Sequence, residues 1–578
     1  MSDFNPLDRA RISTHRSSFD LSSKKLFTAK VGEILPCYWQ IAIPGTKYKI
    51  SSDWFTRTVP VNTAAYTRIK EYYDFYAVPL RLISRALPQA FTQMTDYATS
   101  ATSDSRNTDI LKVVPYCNLS DISAYFDTIY NKDYFDDVSL PLGYGSAKLL
   151  DMLGYGSFMK KDAVSLGYVT ASYFGHNIEN PTDNPLVYSA SQRVNILPIL
   201  TYQKLYYDFF SHSQWEKHLA YAYNVDYWPG NTSISPTREM LKLRYANYPK
   251  DYFMGVLPNS QYGSVAVLPA INSSHEPTSV ALGTDFRLGS YATVTNPNGG
   301  TSVVASPANG TGSARYAFLN SDLSALSIRA TEYLQRWKEV VQFSSKDYSD
   351  QMAAQFGIKA PEYMGNHSHY IGGWSSVINI NEVLNTNLDS PESQASVAGK
   401  GVGSNQGHTL TYDCGAEHQV IMCVYHAVPM LDWELSGQNP QLTVSAISDF
   451  PQPAFDQLGM QPVPALNLHN NLSVQGTGNL GYNLRYWQWK SAVDTIHAGF
   501  RTQGGYKSWV AAVDGEEVLT SEATFSYQSF KVRPQQLNSI FLPQVSGSHP
   551  SVQYDQLLCN VNFQVYAVQN LDRNGLPY

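Results

Sequence analysis

The feature that most constrains the fold is a series of short strand-like runs broken by proline and glycine. Within 26–86 the runs LPCYWQIAIPGTKYKI and EYYDFYAVPL are rich in aromatic and β-branched residues, and a Pro-Gly pair and Pro79 interrupt them. Runs of this length with such boundaries predict β-strands. Strand-like sequence returns at 410–430 and 520–570, after long stretches of other composition. The chain is therefore predicted to be mainly β, as a sandwich or jelly roll with long insertions.

Two stretches have the apolar spacing of helices instead. In 197–223, which begins LPILTYQKLYYDFF, large apolar residues fall near one helical face. In 323–341 apolar residues recur at intervals of three and four, and Ser321 or Asp322 can cap the first turn. The sequence therefore predicts a few helices, two of them substantial.

Composition divides the chain further. Residues 1–30 are predicted to be a basic N-terminal arm, and 31–578 a single jelly-roll domain that carries the insertions. Residues 95–190 are mixed and contain Gly-Tyr-rich pieces, which indicates a variable insertion. Residues 259–315 are rich in Gly, Ser, Thr, Asn and Pro, so they predict an exposed surface insertion.

Low charge and high tyrosine content point to extensive protein contacts. Charged residues make up 15% of the chain, against about 25% in an average soluble protein, and there are 41 tyrosines. Tyrosine is enriched at protein interfaces, whereas Lys, Glu and Asp are depleted there. An ordinary tyrosine-rich β protein would have the same composition, so composition alone leaves both interpretations open.

The remaining bulk properties concern partners and compartment. The formal net charge is −7, so the chain as a whole is not predicted to bind polyanions. Five cysteines at wide spacings imply no disulfide framework, which favours a reducing compartment such as the cytoplasm. The opening MSDFNPLDRARISTHRSSFD lacks the apolar segment of a signal peptide, and no run of about 18 apolar residues predicts membrane insertion.

The best candidate for a binding site is the basic N-terminal arm. Residues 1–30 contain six Lys or Arg against three Asp, a local charge of +3. A short cationic arm without regular structure suits contacts with nucleic-acid phosphates, which are electrostatic and independent of base sequence. A solvated tail that makes no such contacts is the alternative. The residues predicted to contact phosphates are Arg9, Arg11, Arg16, Lys24 and Lys25.

One segment, CGAEHQVIMCVYH, has residue types that bind zinc. Its possible ligands are Cys414, His418, Cys423 and His426. The segment has a strand pattern, so Cys423 points to the face opposite the two histidines. Eight residues of extended chain also hold the two histidines too far apart to share one ion. The sequence therefore does not predict zinc here.

A second segment, EYMGNHSHYIGG, contains His367 and His369, which have no obvious third ligand. The motifs HExxH, GxSxG and CxxC are absent from the chain. We therefore predict no catalytic site, no metal site and no cofactor, and the chain is not predicted to be an enzyme.

Six stretches, taken in order, resemble one known family. They are HRSSFDLSSKKLFTAKVGEILPCYWQIAIPGTKYKI, RIKEYYDFYAVPLRLI, RVNILPILTYQKLYYDFF, KDYFMGVLP, FGIKAPEYMGN and VRPQQLNSIFLPQ. The ordered set resembles the major capsid protein of the Microviridae, small icosahedral bacteriophages with circular single-stranded DNA, and most closely the gokushovirus-like branch. Thr46 stands in place of the Asp of a PGD-type turn, and Phe210 and Ser211 stand where the family often has a basic residue. His367 occupies a position where the pattern prefers a small residue, so the histidine pair is interpreted as loop residues near a subunit contact.

The resemblance implies both fold and function. The fold would be an eight-stranded antiparallel viral jelly roll with long loop insertions. Copies would assemble through pentamers into a T=1 shell, the capsid of the virion, in the bacterial host cytoplasm. The shell would enclose the single-stranded DNA genome. The insertion at 259–315 would form a protrusion at the threefold axes, and outer loops would attach to a host cell-surface receptor. Further implied partners are a small basic DNA-binding protein and a DNA pilot protein.

A carbohydrate-binding or carbohydrate-active β-sandwich protein is the alternative, because aromatic residues and Asn/Gly-rich loops also suit glycans. A glycan-cleaving enzyme needs two carboxylates about 5–10 Å apart, and no such pair stands out in the sequence. A non-enzymatic adhesin would normally carry a secretion signal. The capsid function is the one we expect.

Overall fold

The computed structural model contains two compact units. One comprises Met1–Ser260 with Ser345–Tyr578, and the other is Gln261–Ser344. The residues that the structure describes are 15–61, 65–84, 87–88, 114–123, 125, 144–156, 192–227, 233–266, 291–295, 301–305, 325–358, 365–384, 397–470, 478–520, 524–537, 540–541 and 555–573.

Strands dominate the described residues. In chain order they are β1 (Ser17–Asp20), β2 (Ser23–Ala29), β3 (Leu35–Ala42), β4 (Lys47–Thr58), β5 (Ile69–Pro79), β6 (Tyr116–Asn118), β7 (Arg193–Asn195), β8 (Tyr291–Thr295), β9 (Thr301–Ala305), β10 (His369–Leu384), β11 (Val397–Gln406), β12 (Leu410–Asp413), β13 (Gln419–Pro429), β14 (Asp432–Glu434), β15 (Met460–Pro464), β16 (Asn479–Leu484), β17 (Ala512–Asp514) and β18 (Leu557–Gln569). The helices are α1 (Leu119–Ser123), α2 (Tyr144–Met152), α3 (Leu197–Leu205), α4 (Arg238–Leu241), α5 (Ala325–Phe343) and α6 (Tyr348–Phe356).

Among the described residues, ten strands form one curled antiparallel sheet. Its order is β1–β18–β4–β11–β10–β5–β13–β3, with β2 also paired to β18 and β12 to β4. Strand β10 pairs with β5 along 369–378 and with β11 along 379–384, so the sheet folds over at β10. The first half-sheet thus contains β2, β18, β4 and β11, and the second contains β3, β13, β5 and β10.

The order in which the chain visits the two half-sheets defines the fold. Strands β2, β4, β11 and β18 belong to the first half-sheet, and β3, β5, β10 and β13 to the second, so most connections cross between them. This is the connection order of a jelly roll. The predicted mainly β, eight-stranded antiparallel jelly roll is confirmed, and β1 and β12 are short additions to it.

Strand β4 shows how the sequence produces a half-sheet with one dry face. Its sequence KYKISSDWFTRT alternates so that Tyr48, Ile50 and Trp54 are buried, whereas Lys49 and Arg57 are exposed. Successive side chains of a strand point to opposite faces of the sheet, so this alternation assigns one face to the core and the other to solvent. The strands predicted within 26–86 are confirmed.

Aromatic rings fill the space between the half-sheets. The ring of Trp54 on β4 lies 5.2 Å from that of Tyr73 on β5. The ring of Phe563 on β18 lies 5.7 Å from Phe75 on β5 and 5.6 Å from Tyr38 on β3. Each of these contacts joins one half-sheet to the other. Aromatic pairs at such distances stabilise a core by about 0.5–1.5 kcal/mol beyond the burial of their area.

A carboxylate, Glu71 on β5, lies within this aromatic core. Its oxygens accept hydrogen bonds from Trp54 Nε1 (3.0 Å), Thr56 Oγ1 (2.7 Å), Ser376 Oγ (2.6 Å) and Tyr425 OH (3.3 Å). Two of the donors are on β4, in the first half-sheet, and the other two are on β10 and β13, in the second. Burial raises the pKa of Glu71 above its ordinary value. The carboxylate therefore joins the two half-sheets through polar contacts inside an otherwise apolar interior.

A buried ion-pair cluster fixes α2 to the jelly roll. Lys148 Nζ donates to Glu33 Oε2 (2.5 Å) and to Asp555 Oδ1 (2.9 Å), and all three side chains are at most 4% exposed. Glu33 lies between β2 and β3, and Asp555 precedes β18. Burial lowers the pKa of the neighbouring Lys30 to about 8. Helix α2 falls inside the predicted 95–190 insertion, and this part of the insertion is thus anchored in the core.

The second unit, Gln261–Ser344, contains the β8–β9 hairpin and α5. The amide of Gln335 on α5 donates to Gln261 Oε1 at 2.5 Å. Along α5 the large apolar side chains of Leu326, Leu334 and Trp337 are exposed. The helix therefore exposes apolar side chains, although its sequence has the apolar spacing of a helix that buries one face. Among the described helices, none has both the length and the apolar character needed to cross a membrane.

The helix predicted at 323–341 is confirmed as α5, but two other predicted elements differ from the structure. In 197–223 the α-helix ends at Leu205. A π-helical turn, Tyr206–Phe210, follows it, because Ser211 N donates a hydrogen bond to the carbonyl oxygen of Tyr206. In 520–570 the prediction of strands is confirmed for β18 but wrong for the described residues 524–537 and 540–541, which form 3-10 turns and isolated bridges.

We predict that Glu71 is essential for holding the half-sheets together. Glu71→Leu removes the common acceptor of four buried donors and should lower the free energy of unfolding by about 3 kcal/mol or more. Glu71→Gln keeps the volume and one acceptor oxygen and should cost about 1 kcal/mol. Urea unfolding of the unassembled subunit measures both changes. A Glu71→Leu variant as stable as the unaltered chain would contradict this role.

A comparison of the unaltered chain with the Glu71→Gln variant tests the charge on Glu71. Because burial raises its folded-state pKa, its contribution to stability is complete below its unfolded pKa of about 4.3 and decreases as the pH rises toward the folded pKa. The stability of the unaltered chain relative to Glu71→Gln should therefore fall with increasing pH. Urea unfolding at a series of pH values gives the difference, and a pH-independent difference would argue against a buried, titrating carboxyl group.

Candidate nucleic-acid-facing surface

The solvent face of the first half-sheet is rich in cations, and we name it the basic sheet face. Its exposed cations are Lys24, Lys47, Lys49, Arg57 and Lys400. Strand register places them on one face: Lys49 lies opposite Tyr566 of β18, and Arg57 lies opposite Leu558, which is also exposed. The partly exposed ring of Phe55 lies on the same face.

The cations of the basic sheet face differ in their partners. Lys47 Nζ lies 3.1 Å from Asp413 Oδ2, with both side chains more than half exposed, so this pair is weak. The guanidinium of Arg57 lies 4.8 Å from the centre of the Phe55 ring. In the described part of the chain, no carboxylate comes within ion-pair distance of Lys49. Unpaired cations beside aromatic rings can contact phosphates and stack on bases.

The structure describes three of the five predicted phosphate contacts. Arg9 and Arg11 lie outside the described residues. Arg16 is exposed, and its Nε donates to Asn570 Oδ1 at 2.7 Å, just beyond β18. The expectation of an arm without regular structure is wrong for β1 and β2, because both pair with β18. Phe27 of β2 is buried in the core, which holds this segment in the sheet.

Strand alternation separates the other two predicted residues. Lys24 lies opposite Asn562, an exposed residue of β18, and so belongs to the basic sheet face. Lys25 lies opposite Val561, which is buried, and is directed to the other side of the sheet. Although both side chains are exposed, Lys25 is not placed to act with Lys24 on one ligand.

Four cations of the basic sheet face were not identified from the sequence. Three of them, Lys47, Lys49 and Arg57, occupy alternate polar positions of β4, so the strand pattern itself carried the signal. The fourth, Lys400, is on β11, more than 300 residues further along the chain. Its place on this face follows from the pairing of β11 with β4 and β10, which local sequence does not specify.

The segment that contains His367 has a structural role, and we name its contacts with Asp208 the Asp208 clamp. Both ring nitrogens of His367 lie near main-chain oxygens: Nδ1 is 2.8 Å from Ser368 O, and Nε2 is 3.0 Å from Asp208 O. The carboxylate of Asp208 binds Lys204 Nζ at 2.6 Å and accepts a hydrogen bond from Ser368 Oγ at 2.6 Å. These contacts tie the residues that precede β10 to α3 and its π-helical turn.

The possible zinc ligands of the segment CGAEHQVIMCVYH are not grouped together in the fold. Burial raises the pKa of the Cys414 thiol to about 12, and it also raises the pKa of the Cys423 thiol well above its ordinary value. His426 stacks on Tyr72, with ring centres 4.7 Å apart, and burial lowers its pKa to about 3. Across the described residues, no three His, Cys, Asp or Glu side chains come together in an arrangement that could hold a metal ion.

A jelly roll is a fold of viral capsid domains, and lectins and cupins share it. Comparison with known proteins agrees: the family model described as Capsid protein (F protein) matches residues 10–129 and 180–571, and the chain belongs to this family. Capsid protein VP1 of Chlamydia phage 1 is 23% identical over 217 residues, which are 36% of this chain and 36% of that protein. The aligned stretch thus spans about a third of the length of this curated relative. The resemblance to the Microviridae major capsid protein is confirmed.

Family membership favours a structural role over the carbohydrate-binding alternative. The matched ranges contain every strand of the jelly roll, from β1 to β18. The likeness therefore extends over the whole scaffold and is not confined to a local motif.

We predict that the Asp208 clamp stabilises the start of β10 without a metal. Asp208→Ala leaves the buried ammonium of Lys204 without its carboxylate and should lower the free energy of unfolding by about 3 kcal/mol. Asp208→Asn keeps an acceptor for Ser368 and should cost less. Urea unfolding measures both changes. A chelator should leave the unfolding curve of the unaltered chain unchanged, and a loss of stability on chelation would contradict the clamp as described.

Proposed function

We propose that this chain self-assembles, through pentamers, into the T=1 icosahedral shell of a phage virion that encloses a circular single-stranded DNA genome. The observation that carries the proposal is the match of a capsid protein family to both halves of the jelly roll. Low charge and abundant tyrosine support large interfaces between copies. Negative-stain microscopy of the purified chain tests the assembly: closed shells of uniform size are expected, and a protein that stays monomeric at high concentration would refute it.

The basic sheet face is the part of the shell that we propose contacts DNA. It combines exposed Lys and Arg with Phe55 and Tyr566, which suits a single strand whose phosphates bind cations and whose bases stack. The nearby carboxylate of Asp53 has another partner, since its Oδ2 accepts a hydrogen bond from Gln564 at 3.1 Å. Arg9, Arg11 and Arg16 are proposed to extend these phosphate contacts. In this arrangement the first half-sheet faces the interior of the shell.

The net charge of −7 supports a division of labour with other virion proteins. An acidic chain does not neutralise a genome by itself, so a separate small basic DNA-binding protein is proposed to do so, together with a DNA pilot protein. All five cysteines are free and buried, which supports assembly in the reducing cytoplasm of the bacterial host.

The second unit is proposed to be the host-facing part. It contains most of the predicted 259–315 surface insertion and, in addition, α5. The exposed apolar side chains of α5 would be buried if three copies packed around a threefold axis, and this supports a protrusion there. Loops carried on a rigid scaffold are common sites of recognition, so this protrusion is proposed to bind a host cell-surface receptor.

We predict that three cations of the basic sheet face bind DNA together. Lys24→Ala, Lys49→Ala and Arg57→Ala, combined, should reduce the DNA content of shells. In single-strand binding by unassembled subunits, the slope of log K against log salt should decrease by about 2, since each phosphate contact contributes about 0.7. Lys25→Ala is the matched control, because Lys25 points to the other side of the sheet. The proposed binding surface would be contradicted if Lys25→Ala changed DNA binding as much as Lys24→Ala, Lys49→Ala or Arg57→Ala does when each is made alone.

We predict that the insertion serves attachment and not assembly. Replacement of 273–311 by a short Gly-Ser link should preserve shells, because closure entropy changes only slowly with loop length. Adsorption of particles to host cells should be lost. Microscopy and a cell-binding assay measure the two effects, with unaltered particles as the reference. Loss of shells together with a position of this segment on the inner surface would contradict the prediction.

A further inference from the structure

A segment after β14 exposes large apolar side chains and buries none of them. Residues 441–458, which we name the apolar loop, consist of short 3-10 turns closed by hydrogen bonds between residues three apart. No residue of this loop whose burial is described is buried. Its large exposed apolar residues are Leu442, Ile447, Phe450, Phe455 and Leu458.

The degree of exposure is high for residues of this type. The side chain of Ile447 is 86% exposed, that of Leu442 is 76% exposed and that of Leu458 is 65% exposed. Single exposed apolar residues are ordinary on a protein surface, but five within 18 consecutive residues form a patch. Exposed patches of this kind mark sites of protein interaction. The loop is therefore a candidate for a surface that takes part in a protein contact.

Contacts with a neighbouring turn extend the patch. The ring of Phe450 lies 6.4 Å from that of Trp489, which is itself 41% exposed. Next to this aromatic pair, the carboxylate of Asp456 forms an ion pair with Lys490. Trp489 thus adds an exposed aromatic ring to the loop at Phe450. Aromatic side chains are enriched at protein interfaces.

Both carboxylates of the apolar loop have partners within the chain. Its two acidic residues are Asp449 and Asp456. The carboxylate of Asp449 accepts hydrogen bonds from Ser445 N at 3.0 Å and Ala446 N at 2.8 Å, and Asp456 is paired with Lys490. No cation belongs to the loop, so it does not suit DNA phosphates. A second protein surface can cover the loop while both carboxylates keep these partners.

We propose that the apolar loop, together with Trp489, is a contact between copies of this chain, buried against a neighbouring subunit in the assembled shell. The inference rests on the proposed self-assembly. A second copy is the partner that the chemistry favours, because the surface is largely apolar, its two carboxylates already have partners within the chain and the family consists of capsid proteins. The loop also lies within the matched residues 180–571, so it belongs to the family scaffold.

A charge placed in the patch tests the proposal. Ile447→Asp puts a carboxylate into the proposed contact and should reduce the yield of shells at least about tenfold, because each 1.4 kcal/mol lost from a contact is a factor of ten. Ile447→Val, which keeps the apolar surface, should assemble normally and is the matched control. Circular dichroism and urea unfolding of the subunit should be unchanged in both variants, since this side chain is largely exposed within the subunit.

A thiol placed at the same position gives a second readout that does not depend on yield. All five native cysteines are buried, so Ile447→Cys supplies the one thiol expected to react rapidly with a maleimide. In unassembled subunits it should be labelled fully. In intact shells labelling should slow at least about tenfold, because the site is desolvated at the contact. Shells disrupted before labelling serve as the control.

The outcomes separate this inference from the proposed function. Shells formed normally by Ile447→Asp, or Ile447→Cys shells labelled as fast as free subunits, would overturn the inference while leaving self-assembly intact. Normal shells that had lost adsorption to cells would show that the loop binds a host receptor, which also overturns it. Failure of the unaltered chain to form shells would refute the proposed function and this inference together.

Discussion

The jelly roll depends on satisfying one carboxylate in a place where water cannot reach it. Glu71 lies between two half-sheets whose inner faces are mostly aromatic, and it is stable there only while donors from both half-sheets reach it. Apolar contacts such as Phe75 with Phe563 are not directional and tolerate sliding of one half-sheet on the other. The hydrogen bonds of Glu71 are directional, so they fix the relative position of the half-sheets. The solvent faces, including the cations of β4, are positioned as a consequence.

The same alternation that fills the core determines which charges act together. On β4 every second residue is buried, so the residues between them share the solvent face whatever their chemistry. Lys49 and Arg57 thereby become neighbours of residues hundreds of positions away on β11 and β18. Adjacent residues such as Lys24 and Lys25 are separated instead. Net charge over a window of sequence is therefore a poor guide to a surface built from strands.

Local patterns in the sequence were sufficient for the strands of 26–86 and for α5, because alternation and helical spacing are properties of neighbouring residues. Local patterns were insufficient where contacts between distant parts of the chain determine the structure. The helix at 197–223 changes to a π-helical turn where Asp208 reaches the residues before β10, and nothing local indicates that partner. The basic surface was predicted only in part, since Lys400 reaches it through sheet pairing. The apolar loop was missed because its apolar residues have no period that separates exposed from buried positions.

Strand β18 has a consequence for the biosynthesis of the particle. It pairs with β1, β2 and β4, and the hydrogen bond from Val565 N to Ser22 Oγ spans 543 positions of the chain. The first half-sheet therefore lacks its central strand until the ribosome has made residue 569, and long-range pairing of this kind is slow. A nascent or truncated chain has neither a closed core nor a continuous basic sheet face. Quality control is thus inherent in the topology, because the jelly roll is completed only after β18 has been translated.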